Sequence, residues 1–148
     1  MAPAEIVRAT WRDARALVAL DHRSFQARDW YGWLTYVGLC LRSGIVALKA
    51  SSAGTLVGFV AGAPHRRQGF GVIVTLAVDP VWRRQGLGER LMQECEMRLD
   101  FSRIRLQVRR GNSAAIQLYR KRGYVIIGDL PVYYGDEDGF LMEKVKGA

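Results

Sequence analysis

The sequence predicts an α/β fold, with one mixed β-sheet of about seven strands flanked by about four helices. Three observations carry the prediction. Apolar residues recur at helical spacing early in the chain and then change to β-rich runs over residues 44–78. A strand, a compact Arg/Gly turn, an amphipathic helix and an alternating strand follow over 72–108, the pattern of a parallel βαβ unit. Finally, 148 residues with 49% hydrophobic content suit a single domain, 1–148, with one core.

The elements follow in order. Residues 5–9 read as a short first strand. Thr10 and Asp13 form a capping box with Asp in the usual Glu place, and Ala14, Leu17 and Val18 continue as a helical stripe to Ser24. Residues 30–41 read as a second, aromatic-rich helix, weakened by Gly32 and Gly38. Residues 44–50 and 55–63 form a hairpin about Ser51–Gly54, and a turn over 65–69 leads to a third strand, 70–78, completing an antiparallel meander. Leu87, Leu91, Met92, Cys95 and Leu99 mark one face of a helix over 86–100. Ile104, Leu106 and Val108 alternate with Arg105, Gln107 and Arg109 in a half-buried strand. Asn112 is a good N-cap and Gly123 a C′ glycine, with a helix between them. Strands over 124–127 and 140–145, joined through a turn at 136–139, complete the chain.

The net charge is +8 with a pI of about 10, so anionic partners are favoured: a polyphosphate ligand, nucleic acid or a ribosomal surface. No apolar run approaches the ~20 residues needed to span a bilayer. Met1–Glu5 lacks the basic start and apolar stretch of a signal peptide. Cys40 and Cys95 stand in apolar stretches without metal spacing, and read as buried free thiols of a cytoplasmic protein. No metal site is expected.

The most informative stretch is Trp82-Arg-Arg-Gln-Gly-Leu-Gly88 between a strand and a helix. The first amides of a helix lack partners within it and carry partial positive charge, so such a turn suits a diphosphate. The amides from Arg84 through Gln85, Gly86, Leu87 and Gly88 to Glu89 would face the anion, with Arg83 and Arg84 adding charge. A Cβ at Gly86 or Gly88 is expected to crowd the phosphates.

Residues Leu76–Gly88, with Arg83-Arg-Gln-Gly-Leu-Gly88 at their core, resemble the acetyl-coenzyme A motif of the GNAT superfamily of acyltransferases. A second superfamily block is similar to Leu106–Tyr124, and the order of elements is also the superfamily's. Within the superfamily, Asn112-Ser-Ala-Ala-Ile-Gln-Leu-Tyr119 and the Tyr133-Tyr134 pair before the final strand resemble the RimI type, which acetylates the N-terminal alanine of ribosomal proteins, and related N-terminal acetyltransferase subunits.

The resemblance implies a GNAT-like sheet with splayed central strands, and transfer of acetyl from acetyl-coenzyme A to an amine by direct attack. It implies that Leu76, Ala77 and Val78 offer backbone groups to the pantetheine, that Asn112 contacts the cofactor, and that Tyr119 binds it and protonates the departing thiolate. A phenol of pKa ~10 is a plausible acid for that step. On residue type alone, Tyr119 also fits a core tyrosine and Asn112 a simple cap.

Gln107 departs from the family, which holds a glutamate or histidine there as base. A glutamine accepts no proton at neutral pH, and could only orient water. An α-amine of pKa ~8 is about a tenth free base at pH 7, so its need for a base is smaller than that of lysine. Tyr133, Tyr134, Asp136 and His65 are the other base candidates. The resemblance also places Phe25, Trp30, Tyr31 and Trp33 where the acceptor wall is built, and implies that Tyr133 and Tyr134 line the peptide cleft; on residue type alone, the first four also fit core packing of two small helices.

The expected acceptor is a protein N-terminus. The alternative is a small amine such as a polyamine, antibiotic or amino acid, attracted by the late acids Asp129, Asp136, Glu137 and Asp138. A third reading is a non-catalytic acyl-coenzyme A sensor or nucleic-acid binder. Ribosome association is compatible with the charge, no membrane partner is called for, and monomer and homodimer stay open.

Overall fold

A computed structural model describes residues 3–147 of the chain. Met1 and Ala2, on which part of the signal-peptide reading falls, lie outside the described residues.

The observed elements are β1 (Glu5–Arg8), α1 (Ala14–Ser24), α2 (Trp33–Leu41), β2 (Val46–Ser52), β3 (Thr55–His65), β4 (Phe70–Val78), α3 (Leu87–Leu99), β5 (Arg103–Arg109), α4 (Ser113–Lys121), β6 (Val125–Leu130) and β7 (Gly139–Val145). The seven strands form one mixed sheet in the order β1-β2-β3-β4-β5-β7-β6. β2, β3 and β4 make the antiparallel meander, and β4 pairs parallel with β5 across α3.

Local sequence accounts for most boundaries. The Thr10 amide donates to Asp13 Oδ2 (2.8 Å), and this capping box opens a 3-10 turn over Trp11–Asp13 that leads into α1. The β2–β3 turn is tighter than expected, with Ala53 at φ +50° and Gly54 at φ +81° as its central pair. Gly123 ends α4 at φ +98°.

Boundaries shift by a residue or two at several elements, and two larger shifts have a physical cause. The second helix begins at Trp33 rather than residue 30, because the Tyr31 amide donates to Asp21 Oδ2 (3.0 Å) and Trp30 is extended. β6 runs to Leu130 rather than residue 127. Ile127 is an extra residue in the ladder, and pairing with β7 resumes at Gly128.

The sheet is packed on both faces, and strand alternation divides the side chains between two cores. Leu48 and Val60 point to α3, meeting Leu87, Leu91, Met92 and Cys95. Ala47, Phe59, Ala61 and Ala77 point the other way, to Leu17 and Leu20 of α1 and Tyr36 and Leu39 of α2. Close approach of α3 depends on glycine. A Cβ on Gly62 would lie 2.7 Å from both Cys95 Sγ and Leu99 Cδ1, and one on Gly58 2.9 Å from Leu91 Cδ1.

The sheet is open at its centre. β4 and β5 pair only at Gly71–Ile104 and Val72–Arg105. A bulge at Val74 interrupts the β3–β4 register just beyond, and bulges bend the strand that carries them. The two strands then diverge, leaving the second half of β4 unpaired on its β5 side.

Candidate active site

The splay opens into two connected hollows. One, of about 430 Å³, lies between the strands and is lined by Ile73, Val74, Thr75 and Leu76 of β4 and Leu106, Gln107, Val108 and Arg109 of β5. Its walls are Phe25, Trp30 and Tyr31 before α2, and Tyr133 and Tyr134 before β7. The other, about 820 Å³, runs from Leu76 and Val78 past Arg83–Gly88 to one face of α4. Leu76, Asn112 and Tyr119 line both, together with Phe25, Arg28, Asp29 and Arg109.

The turn before α3 is shaped by two left-handed residues, Arg84 at φ +61° and Gly86 at φ +81°. The first amide bonded back within this stretch is that of Arg90, to Gly86 O (3.1 Å). The amides of Leu87, Gly88 and Glu89 are therefore free at the positive end of the helix. The glycines also answer to constraints within the protein itself. A Cβ on Gly86 meets no protein atom within 4 Å, but its left-handed backbone angle favours glycine. A Cβ on Gly88 would lie 3.2 Å from Leu118 Cδ2, so this glycine serves the contact between α3 and α4.

Side chains around the turn divide. Arg84 is exposed and has no partner among the described residues, whereas Arg83 donates to Ser24 O (2.9 Å) and Gln85 to Val81 O (3.1 Å). Leu87 is in the core. Glu89 pairs with Lys121 (2.9 Å) across the groove.

On β4, the Asp79 amide donates to Val57 O (2.9 Å). By antiparallel alternation, the amide and carbonyl of Ala77 face β3, and those of Leu76 and Val78 face the gap. The Ala77 side chain lies in the opposite core, so this residue turns away from the groove. The Ser24 hydroxyl is 3.4 Å from Val78 O.

Tyr119 is half-buried on α4, its ring edge-on to Tyr124 with centroids 6.0 Å apart. Burial pushes its phenol up to about 12, and its hydroxyl has no protein partner among the described residues. Asn112 caps α4, accepting from the Ala115 amide at Oδ1 (3.2 Å), and lines both hollows.

The base candidates fare unevenly. Gln107, Tyr133 and Tyr134 line the smaller hollow, and burial pushes the Tyr134 phenol up to about 12. Asp136 bonds Arg109 (2.8 Å) and Arg28, and the Arg109 hydrogen bond holds its carboxyl below the usual range. His65 stacks on Phe70 at the end of β3, and lines neither hollow. Trp33 lines neither and is exposed.

Sequence reasoning missed an ionic cluster. Arg109 bonds Asp29, Asp136 and Glu137, and its guanidinium lies 4.4 Å from the centre of the Tyr134 ring. Strand periodicity could have found Arg109, two residues beyond Gln107 on the same face of β5. Asp29 carries no comparable signal. The buried Asp21 was also missed. It accepts from the Tyr36 hydroxyl (2.6 Å) and the Tyr31 amide, fixing the aromatic wall.

Among the described residues, no group of His, Cys, Asp and Glu is placed to hold a metal ion, and no helix is long and apolar enough to cross a membrane.

Comparison with known proteins agrees with this geometry. RimI, an N-alpha-acetyltransferase of Mycobacterium tuberculosis, is 39% identical over 106 residues, covering 66% of this chain and 65% of that protein. An uncharacterized protein of Mycobacterium leprae is 39% identical over 102 residues, which cover 64% of this chain but 28% of its own length. The aligned stretch thus spans less than two-thirds of either relative. Among solved structures, Ard1 from Thermoplasma volcanium superposes with a TM-score of 0.83 at 27% identity, covering 97% of each chain. The Escherichia coli ribosomal-protein-S18-alanine N-acetyltransferase shares the fold, with a TM-score of 0.83 at 23% identity over 96% of this chain and 93% of its own. Residues 5–124 match the Acetyltransferase (GNAT) family, and to that family the chain belongs.

Proposed function

We propose that residues 1–148 act as one N-acetyltransferase domain, moving the acetyl group of acetyl-coenzyme A onto the α-amine of a protein N-terminus by direct attack. One observation carries the reading. The unpartnered phenol of Tyr119 lies where the phosphate-suited groove meets the aromatic cleft, at the place where a thioester and an amine would come together.

The groove suits the donor. The free amides of Leu87–Glu89 and the Arg84 guanidinium are matched to a diphosphate. The backbone edge at Leu76 and Val78, paired with no strand, is matched to the amides of an extended pantetheine, and Asn112 Nδ2 is a further donor. Acetyl-coenzyme A supplies the activated acyl group when bound. The Tyr119 hydroxyl donates to the departing sulfur as the C–S bond breaks. The amine's proton leaves through water that Gln107 orients, since no side chain at the cleft is a free base. The aromatic wall of Phe25, Trp30, Tyr31, Tyr133 and Tyr134 holds the first residues of the acceptor.

RimI of Mycobacterium tuberculosis, an N-alpha-acetyltransferase, supports a protein acceptor. The pairing of the late acids does too. Asp136 and Glu137 are held by Arg28 and Arg109, and Asp129 and Asp138 by Arg110, so they are not free counterions for a polyamine. Cys40 and Cys95, both free, support a cytoplasmic setting, although Cys40 is only half-buried.

Thiol release from acetyl-coenzyme A is the test, measured across peptides with different first residues, blocked peptides with internal lysine, and small amines. Turnover that depends on the first residue and vanishes on blocking the α-amine is expected. Turnover confined to small amines would replace this reading with the small-amine one. Cofactor binding without turnover on any amine would leave the sensor.

A further inference from the structure

We infer that Arg109 is a positioning residue that sets the width of the acceptor cleft, an inference that rests on the N-acetyltransferase reading of the site. Arg109 stands on the rigid strand β5, with its side chain only 11% exposed. Its guanidinium spends separate edges on two separate segments. Nε lies 3.2 Å from each Asp29 carboxylate oxygen and NH2 lies 2.5 Å from Oδ1, which holds the 3-10 turn at Ala27–Asp29. NH1 bonds Asp136 Oδ1 (2.8 Å) and Glu137 Oε1 (3.3 Å), which holds the loop between β6 and β7. The guanidinium also covers Tyr134 of that loop.

These two segments are the opposite walls of the cleft. The first leads directly into Trp30 and Tyr31, and the second carries Tyr133 and Tyr134. Arg28 joins them a second time, reaching Asp136 from the first segment, but it is 45% exposed and so adds less. Glu137 is further tied down by the Gly111 amide (2.7 Å).

Only a planar fork with several fixed donors can hold three carboxylates in two directions at once. A lysine offers one compact charge and can serve one wall well, not both. With an apolar residue instead, Asp29, Asp136 and Glu137 would face each other across the cleft with Arg28 alone between them. The walls would then part by repulsion and hydration. Arg109, Asp29 and Glu137 also line the larger hollow, but the α3 turn that suits a diphosphate is not among their partners.

The variants Arg109→Met, Arg109→Lys and the pair Asp136→Asn/Glu137→Gln test this, each beside the wild type. For each, coenzyme A affinity is measured by calorimetry, melting by calorimetry, and KM and kcat with an N-terminal peptide by thiol release. Wild-type turnover on that peptide decides the function itself, independently of the variants. Arg109→Met is expected to raise the peptide KM by about tenfold or more, as misplacement near a reacting centre does. Coenzyme A affinity should fall by clearly less than that of the peptide, because the α3 turn keeps its free amides. Arg109→Lys should recover part of the loss, and the double variant, which frees one wall at an exposed and a half-buried position, should lose less than Arg109→Met. The inference is overturned if the peptide KM of folded Arg109→Met or of the double variant stays within twofold of wild type. It is overturned equally if coenzyme A affinity falls in step with the peptide, because Arg109 would then hold the fold at large. Should Arg109→Met not fold, the lysine and double variants decide on the same terms.

Discussion

Replacing Tyr119 by Phe removes one oxygen and little else, because the ring keeps its edge contact with Tyr124. The magnitude follows from the acidity of the two partners. Burial pushes the Tyr119 phenol up to about 12. A thiol leaving group resembles cysteine, with a pKa of ~8.5. Outright transfer of the proton to the thiolate is therefore uphill by about 3.5 pKa units, or about 5 kcal/mol. What remains favourable is a hydrogen bond to sulfur as negative charge develops there. A hydrogen bond to a charged group contributes about 1.5–3 kcal/mol. Tyr119→Phe should thus lower kcat by about 10- to 150-fold, with the acceptor KM nearly unchanged. The assay is thiol release at saturating acetyl-coenzyme A and peptide. The raised pKa also fixes the alkaline side. The hydroxyl donates only while protonated, so wild-type kcat should hold past pH 10 and fall only as pH approaches 12. A drop of less than threefold would remove Tyr119 from the chemistry. A drop beyond about 10⁴-fold, or an alkaline fall in kcat near pH 9, would refute the hydrogen-bond account.

Other substitutions probe different links. Gln107→Glu places a carboxylate in the cleft, and should extend turnover toward lower pH. A pH–rate profile of kcat/KM unchanged from wild type would count against Gln107 facing the acceptor's amine. Gly62→Ala forces a methyl group against Cys95 and Leu99, and should destabilise by about 1–3 kcal/mol in chemical denaturation. Burial of the Glu143 carboxyl works to raise it, but the bonds from Arg105 (2.7 Å) and Arg103 (3.0 Å) overcome burial and hold it below its usual range. Because the folded value lies below the unfolded one, this stabilisation is present above the unfolded pKa and is lost as pH falls through the folded pKa. Glu143→Gln should lower the melting temperature at pH 7, and the gap to wild type should close in acid.

How legible the site was varies residue by residue. Asn112 and Gly123 were legible as caps, because a cap is a contact between near neighbours in sequence. The Arg83–Gly88 turn was legible as a glycine turn opening a helix for the same reason, but the contact of Gly88 with α4 was not. Its constraint comes from Leu118, thirty positions away, and no local pattern carries that. Gln107 was visible as a departure from the family, whereas Arg109 passed as surface charge until the structure put Asp29, Asp136 and Glu137 around it.

The sequence by itself determined the order and type of the elements and the GNAT likeness, down to the turn that ends at Gly88. Periodicity, caps and turn residues act over a few positions, and such short-range preferences agree with one another along this chain. Only the tertiary structure decided that Ala77 faces away from the groove, that the late acids are paired with arginines, and that Asp21 anchors the aromatic wall. Each of those outcomes depends on which strand or loop arrives from far along the chain, and on the pairing that buried polar and charged groups must find once it does.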